Sequence, residues 1–164
     1  MLEFRYAKRE DVPLVLKFIR ALAEYEKMAD QVIADEKLLE ESIFDREQAR
    51  VIFACEDGAE RGFALYFHNY STFQGRAGIY LEDLYVFPEY RGRGLGKGLL
   101  SKLAAIAVEE GCGRFEWNCL DWNKPSIDFY LSLGAVAKDQ WTGYRLSGEA
   151  LHALAAQSVG GISE

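Results

Sequence analysis

The chain has 164 residues, enough for one domain core and too few for two independent ones. A hydrophobic content of 49%, with 13% aromatic residues, excludes global disorder, and no apolar run reaches the ~18 residues of a membrane span. Nineteen basic residues stand against 26 acidic ones, a net charge of -7, which is the wrong balance for a general nucleic-acid binder.

Met1–Arg9 lacks the apolar h-region of a signal peptide, so a cytoplasmic protein with no membrane partner is expected. Cys55, Cys112 and Cys119 form no CxxC pair and read as reduced thiols. His68 and His152 stand far apart in sequence with no zinc-type spacing around them, so no metal is expected.

Leu2, Phe4 and Tyr6 alternate with charged residues and predict a first strand. A helix follows with Asp11 as N-cap, Pro13 in its first turn and an apolar stripe of Val12, Val15, Leu16, Ile19, Leu22 and Ala23. A second helix is predicted from Asp35 to Phe44, carrying Leu38, Leu39 and Ile43. Val51–Cys55 and Gly62–His68 then flank Asp57-Gly58, a hairpin signal, and Ile79–Phe87 makes a third strand. Beyond the glycine-rich stretch a helix runs to Gly111, Arg114–Leu120 is a strand, and Pro125 opens a helix stopped at Gly134. Val136–Leu146 is expected to supply the last one or two strands, and Glu149–Ala156 a terminal helix. This order predicts an α/β (α+β) fold on a mixed, mostly antiparallel sheet: one domain over residues 1–156, with 157–164 as a frayed tail.

Arg91-Gly92-Arg93-Gly94-Leu95-Gly96-Lys97-Gly98 places four glycines in eight positions between a strand and a helix. Free N–H groups and the helix dipole make such a place an anion site, suited to a phosphate-bearing ligand. The bland alternative is a flexible turn. The Walker pattern fails here, because its first glycine falls on Arg91 and Gly98 replaces its Ser or Thr. The dinucleotide pattern GxGxxG also fails in both registers, on Lys97 and on Leu99.

The segment instead resembles the Arg-x-x-Gly-x-Gly loop of the GNAT acetyltransferase superfamily. Three further blocks strengthen the resemblance: Tyr80–Val86 with Pro88 and Tyr90, Leu120–Tyr130 with Leu133-Gly134-Ala135, and Leu22–Met28 with Gln31-Val32. Together they resemble the diamine (spermidine/spermine-type) acetyltransferase subfamily over residues 2–146, and Leu120-Asp121-Trp122-Asn123 is nearer its thialysine-acetylating branch.

The resemblance implies a GNAT-like sheet with helices on both faces, acetyl-CoA as co-substrate, a small cationic amine as substrate, and a homodimer. Arg91, Gly92, Arg93, Gly94, Leu95 and Gly96, with Lys97, would receive the pyrophosphate. Leu84, Tyr85 and Val86 would pair with the pantetheine arm, flanked on its other side by Asn123, Pro125 and Ser126. Glu82 matches the proton acceptor, and Tyr130 the donor to the leaving thiolate. Tyr25, Glu26, Glu82 and Asp83 match substrate-contacting positions, with Glu116, Trp117 and Asn118 on the neighbouring strand.

Each residue also has a plainer reading: Tyr130 as an amphipathic helix edge, Glu82 as a solvated strand edge, Tyr25 and Glu26 as a surface pair. A CoA-binding module without turnover is the runner-up function. Acyl transfer through a cysteine is disfavoured, because Cys55 and Cys119 sit in apolar runs. Asp139–Leu146 has one acidic residue where the subfamily tends to carry several, which favours a short diamine or lysine-like amino acid over spermine.

Overall fold

The computed structural model describes residues 1–164, which form two compact units, Met1–Asn118 and Cys119–Glu164. In the first unit, β1 (Leu2–Tyr6), β2 (Arg50–Glu56), β3 (Ala59–Ser71) and β4 (Arg76–Val86) make an antiparallel meander. The fifth strand, β5 (Phe115–Trp117), joins β4 in parallel, so spatial order follows chain order. The mixed, mostly antiparallel sheet expected from the sequence is therefore present. Asp57 and Gly58 both have positive φ, 52° and 77°, which gives the β2–β3 turn the hand that matches strand twist.

Helix α1 (Val12–Tyr25) covers one face of the sheet. Val12, Val15, Leu16 and Phe18 pack with Val51, Phe53, Cys55, Phe63 and Tyr85, and with Leu39 and Ile43 of the next helical segment. The stripe read from the sequence omits Phe18, yet its ring is fully buried and stacks on Phe63 at 5.0 Å and Phe87 at 4.5 Å. Asp11 occupies the N-cap position without capping α1. Its carboxylate instead accepts from Arg5 at 2.7 and 2.9 Å and from the Lys8 N–H at 2.7 Å.

Helix α2 (Glu36–Leu39) is capped by Asp35, which accepts from the Leu38 N–H, and continues as wider π-type turns over Glu40–Asp45. Leu39 and Ile43 are buried, whereas Leu38, expected on the apolar face, is exposed. Helix α3 (Leu95–Glu109) covers the opposite face with Leu95, Leu99, Leu100, Leu103 and Ile106. A Cβ on Gly98 would lie 2.8 Å from Phe4 Cζ and 3.2 Å from Leu2 Cδ2, so this glycine lets α3 settle onto β1. With both faces covered, β2 reads as the continuous apolar run Val51–Cys55 instead of alternating.

The second unit carries α4 (Lys124–Ser132) and α5 (Gly148–Ala155), each close to its predicted span. The strands expected over Val136–Leu146 are not formed: the segment has no strand pairing, and Val136, Trp141 and Tyr144 are exposed. A strand exists only through its ladder with a neighbour, and the polar run Lys138–Gln140 interrupts the alternation that would specify one. The strand expected over Arg114–Leu120 is likewise confined to Phe115–Trp117.

Candidate active site

A single inserted residue shapes the centre of β4. In the β3–β4 ladder Leu65 faces Asp83 and Tyr66 faces Leu81, so Glu82 is left over as a bulge. Pairing with β5 stops at Leu81–Trp117, while β4 continues to Val86. The Glu82–Val86 stretch therefore presents one open backbone edge within the first unit. Phe87 N–H donates to the Arg61 carbonyl on the β3 side at 3.0 Å. Backbone groups alternate in direction along a strand, so those of Val86 and Leu84 point to the open edge. The sequence carries a trace of the bulge: apolar positions 79 and 81 shift phase to 84 and 86.

Glu82 lies beside two more carboxylates. Asp83 is on the α1 face of β4, and Glu26 is the C-cap of α1. The chain reverses there through Lys27 at φ 61°, with the Met28 N–H donating to the Ala23 carbonyl at 2.8 Å. Burial, then the charges of Glu82 and Glu26, push Asp83 up to about 6. Burial and Glu82 likewise raise Glu26 above the usual carboxylate range. The negative end of the α1 dipole adds to the same field. Three carboxylates this close repel one another, and a positive charge beside them relieves that repulsion.

Tyr25 and Tyr85 wall this cluster, their ring centroids 6.4 Å apart. The Arg91 guanidinium lies 5.1 and 5.2 Å from those two centroids, and its Nε donates to the Val86 carbonyl at 2.9 Å. Arg93 pairs with Glu56 at 2.8 Å. Both arginines are thus engaged within the fold, and the loop between them presents its main chain. Gly92 and Gly94 have φ of 75° and 85°, with nothing within 4 Å of a Cβ at either place, so backbone conformation selects glycine there. Gly94 is the N-cap of α3 and has no side chain to accept the first-turn N–H groups of Leu95, Gly96 and Lys97. Leu95 is buried and offers only its backbone; Lys97 is exposed. Free N–H groups at a helix N-terminus of this kind can receive an anion.

The structure thus brings together Tyr25, Glu26, Glu82, Asp83, Tyr85 and Arg91, with Leu84 and Val86 on the adjoining edge. Glu116 of β5 is held differently, accepting from Asn69 at 3.1 Å and pairing with Arg114 at 2.8 Å. Trp117 packs on Phe115 at 5.0 Å, and Asn118 follows it. In the second unit, the buried Asn123 side chain accepts from the Ser126 N–H at 3.4 Å, with Pro125 in the same first turn. Tyr130 is half-buried, seven residues and thus about two turns beyond Asn123. The sequence did not reveal the open β4 edge or the tyrosine–arginine clamp, both products of long-range pairing.

The Acetyltransferase (GNAT) family description matches residues 17–135. Among individual proteins, the chain is 41% identical to a thialysine N-epsilon-acetyltransferase of Sus scrofa, covering 92% of this chain and 95% of that one. It is 30% identical to an L-ornithine N5-acetyltransferase of Arabidopsis thaliana, covering 92% and 86%. An integron cassette protein from the mobile metagenome of V. cholerae superimposes with a TM-score of 0.78 at 29% identity, covering 96% of this chain and 98% of that one. With a carboxylate cluster and an anion-ready helix terminus on one strand, and the family match across most of its length, the chain belongs to the GNAT acetyltransferase family.

Proposed function

We propose that the chain transfers an acetyl group from acetyl-CoA to the terminal primary amine of a small amino acid or diamine that carries a second positive charge. One observation carries this reading: the Glu26–Glu82–Asp83 cluster sits where the open edge of β4 begins, and that edge leads to the uncapped terminus of α3. A cation site and an anion site thus share one strand. The relatives' names specify transfer to Nε of thialysine and N5 of ornithine, both side-chain amines of amino acids. The family match at 17–135 includes residues of both compact units.

Members of the family use acetyl-CoA, which supplies the acetyl group as an activated thioester. The residues present suit it. Backbone N–H groups at Gly94–Lys97 fit the pyrophosphate, and the open edge at Leu84 and Val86 fits an extended amide-bearing arm. Asn123, Pro125 and Ser126 match the family positions that flank such an arm.

An amine of pKa near 10 is about one part in a thousand free base at pH 7, so a proton must leave before attack. Glu82 accepts it, directly or through water. Glu26, Asp83 and Tyr25 hold the second positive group. A backbone N–H of the open edge, at Leu84 or Val86, donates to the carbonyl oxygen as its charge develops. Tyr130 matches the family position whose hydroxyl gives its proton to the departing sulfur. No acyl-enzyme is needed: burial pushes the Cys55 thiol up, away from nucleophilic reactivity.

The deciding experiment is an acetyl-CoA turnover screen over thialysine, ornithine, lysine, short diamines, spermidine, spermine and peptide amines. The expected outcome is highest kcat/KM for the compact doubly charged amines. Thermal stabilisation by acetyl-CoA without turnover of any amine would instead support a CoA-binding module.

A further inference from the structure

At the far end of α3 from the glycine loop, three side chains of different ligand chemistry converge. His68 projects from β3 on the α3 face, Glu110 is the C-cap of α3, and Cys112 lies two residues further on. His68 Nε2 is 2.5 Å from a Glu110 carboxylate oxygen. One imidazole nitrogen, one carboxylate oxygen and the Cys112 sulfur all lie within 4.8 Å of one another. No spacing rule groups these residues, because 42 positions separate His68 from Glu110 and only the β3–α3 packing brings them together.

The backbone that carries Cys112 is tied to the end of α3. Gly111 turns at φ 72°, and the Cys112 N–H donates to the Ala107 carbonyl at 2.8 Å, which folds the thiol back toward the helix end. His68 faces Ile79 in the β3–β4 ladder, and the Tyr66 ring meets its imidazole edge-on at 6.3 Å.

We propose that His68, Glu110 and Cys112 bind one thiophilic divalent transition-metal ion, with Zn2+ the best match. A mixed nitrogen, oxygen and sulfur set suits zinc, whereas Mg2+ and Ca2+ select oxygen ligands alone. Thiolate and carboxylate together neutralise the dication, and the imidazole binds as the neutral ring. Zinc–ligand bonds of about 2.0–2.3 Å place tetrahedral ligand atoms roughly 3.3–3.8 Å apart. The His68–Glu110 contact must therefore open and the thiol draw in, movements of about 1 Å that half-exposed side chains accommodate.

Coordination replaces the thiol proton and any proton shared by His68 and Glu110, and these pass to solvent. Water completes the fourth position. Arg50 interacts electrostatically with Glu110 and opposes any dication there, so the bond to the Cys112 thiolate has to supply the main attraction. The fifteen residues of α3 separate this cluster from the glycine loop by about 22 Å, so the ion takes no part in acetyl transfer.

The test uses the full chain, metal-free and kept reduced, titrated with ZnCl2, CoCl2 and MgCl2. Zinc is expected to bind at one equivalent, and to raise Tm by about 5–10 °C at a hundredfold excess over Kd, with no comparable effect of magnesium. Cobalt is expected to show thiolate charge-transfer absorption in the near ultraviolet. Cys112→Ser should abolish that absorption, and both Cys112→Ser and His68→Gln should weaken zinc binding at least about tenfold. Cys119→Ser should preserve the absorption and the binding, and acetyl-CoA turnover should be the same in Cys112→Ser as in the unmodified chain. Absence of stoichiometric zinc binding up to millimolar metal overturns the proposal. So does cobalt–thiolate absorption that survives Cys112→Ser or vanishes in Cys119→Ser.

Discussion

Replacing Asp83 with asparagine tests whether the acidic cluster is held at a cost in stability. Unfolded, this carboxyl ionises near its ordinary 3.8; folded, burial and the charges of Glu82 and Glu26 raise it to about 6. Below the lower value both states hold the proton, and the cluster costs nothing at this position. Between the two values the folded state binds more proton than the unfolded one, so stability falls as pH rises. Above about 6 the penalty is fully present. At ~1.4 kcal/mol for each tenfold change in protonation equilibrium, the penalty approaches about 3 kcal/mol. An asparagine side chain at this position is neutral throughout and free of it. We expect Asp83→Asn to raise Tm by about 5–10 °C at pH 8 and by only about 1–2 °C at pH 4, read by circular dichroism melts across that range. The same variant should raise KM for a doubly charged amine, since it removes a charge partner. A Tm gain independent of pH, or a loss at pH 8, would show that the Asp83 carboxylate is not the strained member of the cluster.

Three further outcomes can be checked on the same protein. Glu26→Gln should raise KM for doubly charged amines more than it lowers kcat, with an effect that shrinks as salt rises, because its contribution is charge attraction at a half-exposed helix end. Tyr130→Phe should lower kcat on the order of 10²-fold and leave acetyl-CoA affinity little changed; wild-type kcat would assign Tyr130 to packing. Gly98→Ala should destabilise the chain by about 1–3 kcal/mol in denaturant melts, because its methyl group would meet the Phe4 ring at 2.8 Å, whereas Gly96→Ala, with nearest contacts at 3.9 Å, should cost less in packing.

Local chemistry is legible in the sequence wherever one segment decides its own conformation. The Asp57-Gly58 turn is a contract between near neighbours and forms as read, and the caps that the structure shows at Asp35 and Asn123 are equally local. Asp11 shows the limit: its carboxylate has the right place for a cap, but Arg5, with Glu60 on its other side, draws it away. Phe18 escapes the pattern because it lies beside the main stripe, and Val136–Leu146 forms no strand because apolar content does not provide a pairing partner. Among the candidate site residues, the glycine loop and the Glu82-Asp83 pair can be named from sequence. Their convergence with Glu26 depends on α1 packing across β4, which no local pattern encodes.

The phase change at Glu82 links fold and chemistry most directly. Gly62, Ala64, Tyr66 and His68 alternate along β3 toward α3, and a Cβ on Gly62 would lie 3.4 Å from Leu99. Their partners on β4 share that face: Ile79 and Leu81 opposite His68 and Tyr66, then Leu84 and Val86 opposite Ala64 and Gly62. Odd and even positions can both lie under α3 only because one residue is inserted between them. The same insertion reverses the direction of the backbone groups, so the Ile79 N–H bonds the Arg114 carbonyl near β5, while beyond the bulge the even residues point to the open edge. The residues at the change of phase cannot both face the core, and here they are Glu82 and Asp83. Deleting Glu82 would restore a regular ladder, but at the cost of turning either the Ile79–Leu81 pair or the Leu84–Val86 pair away from α3. The bulge that keeps both halves of β4 packed is therefore the feature that exposes the backbone edge and sets two carboxylates beside it.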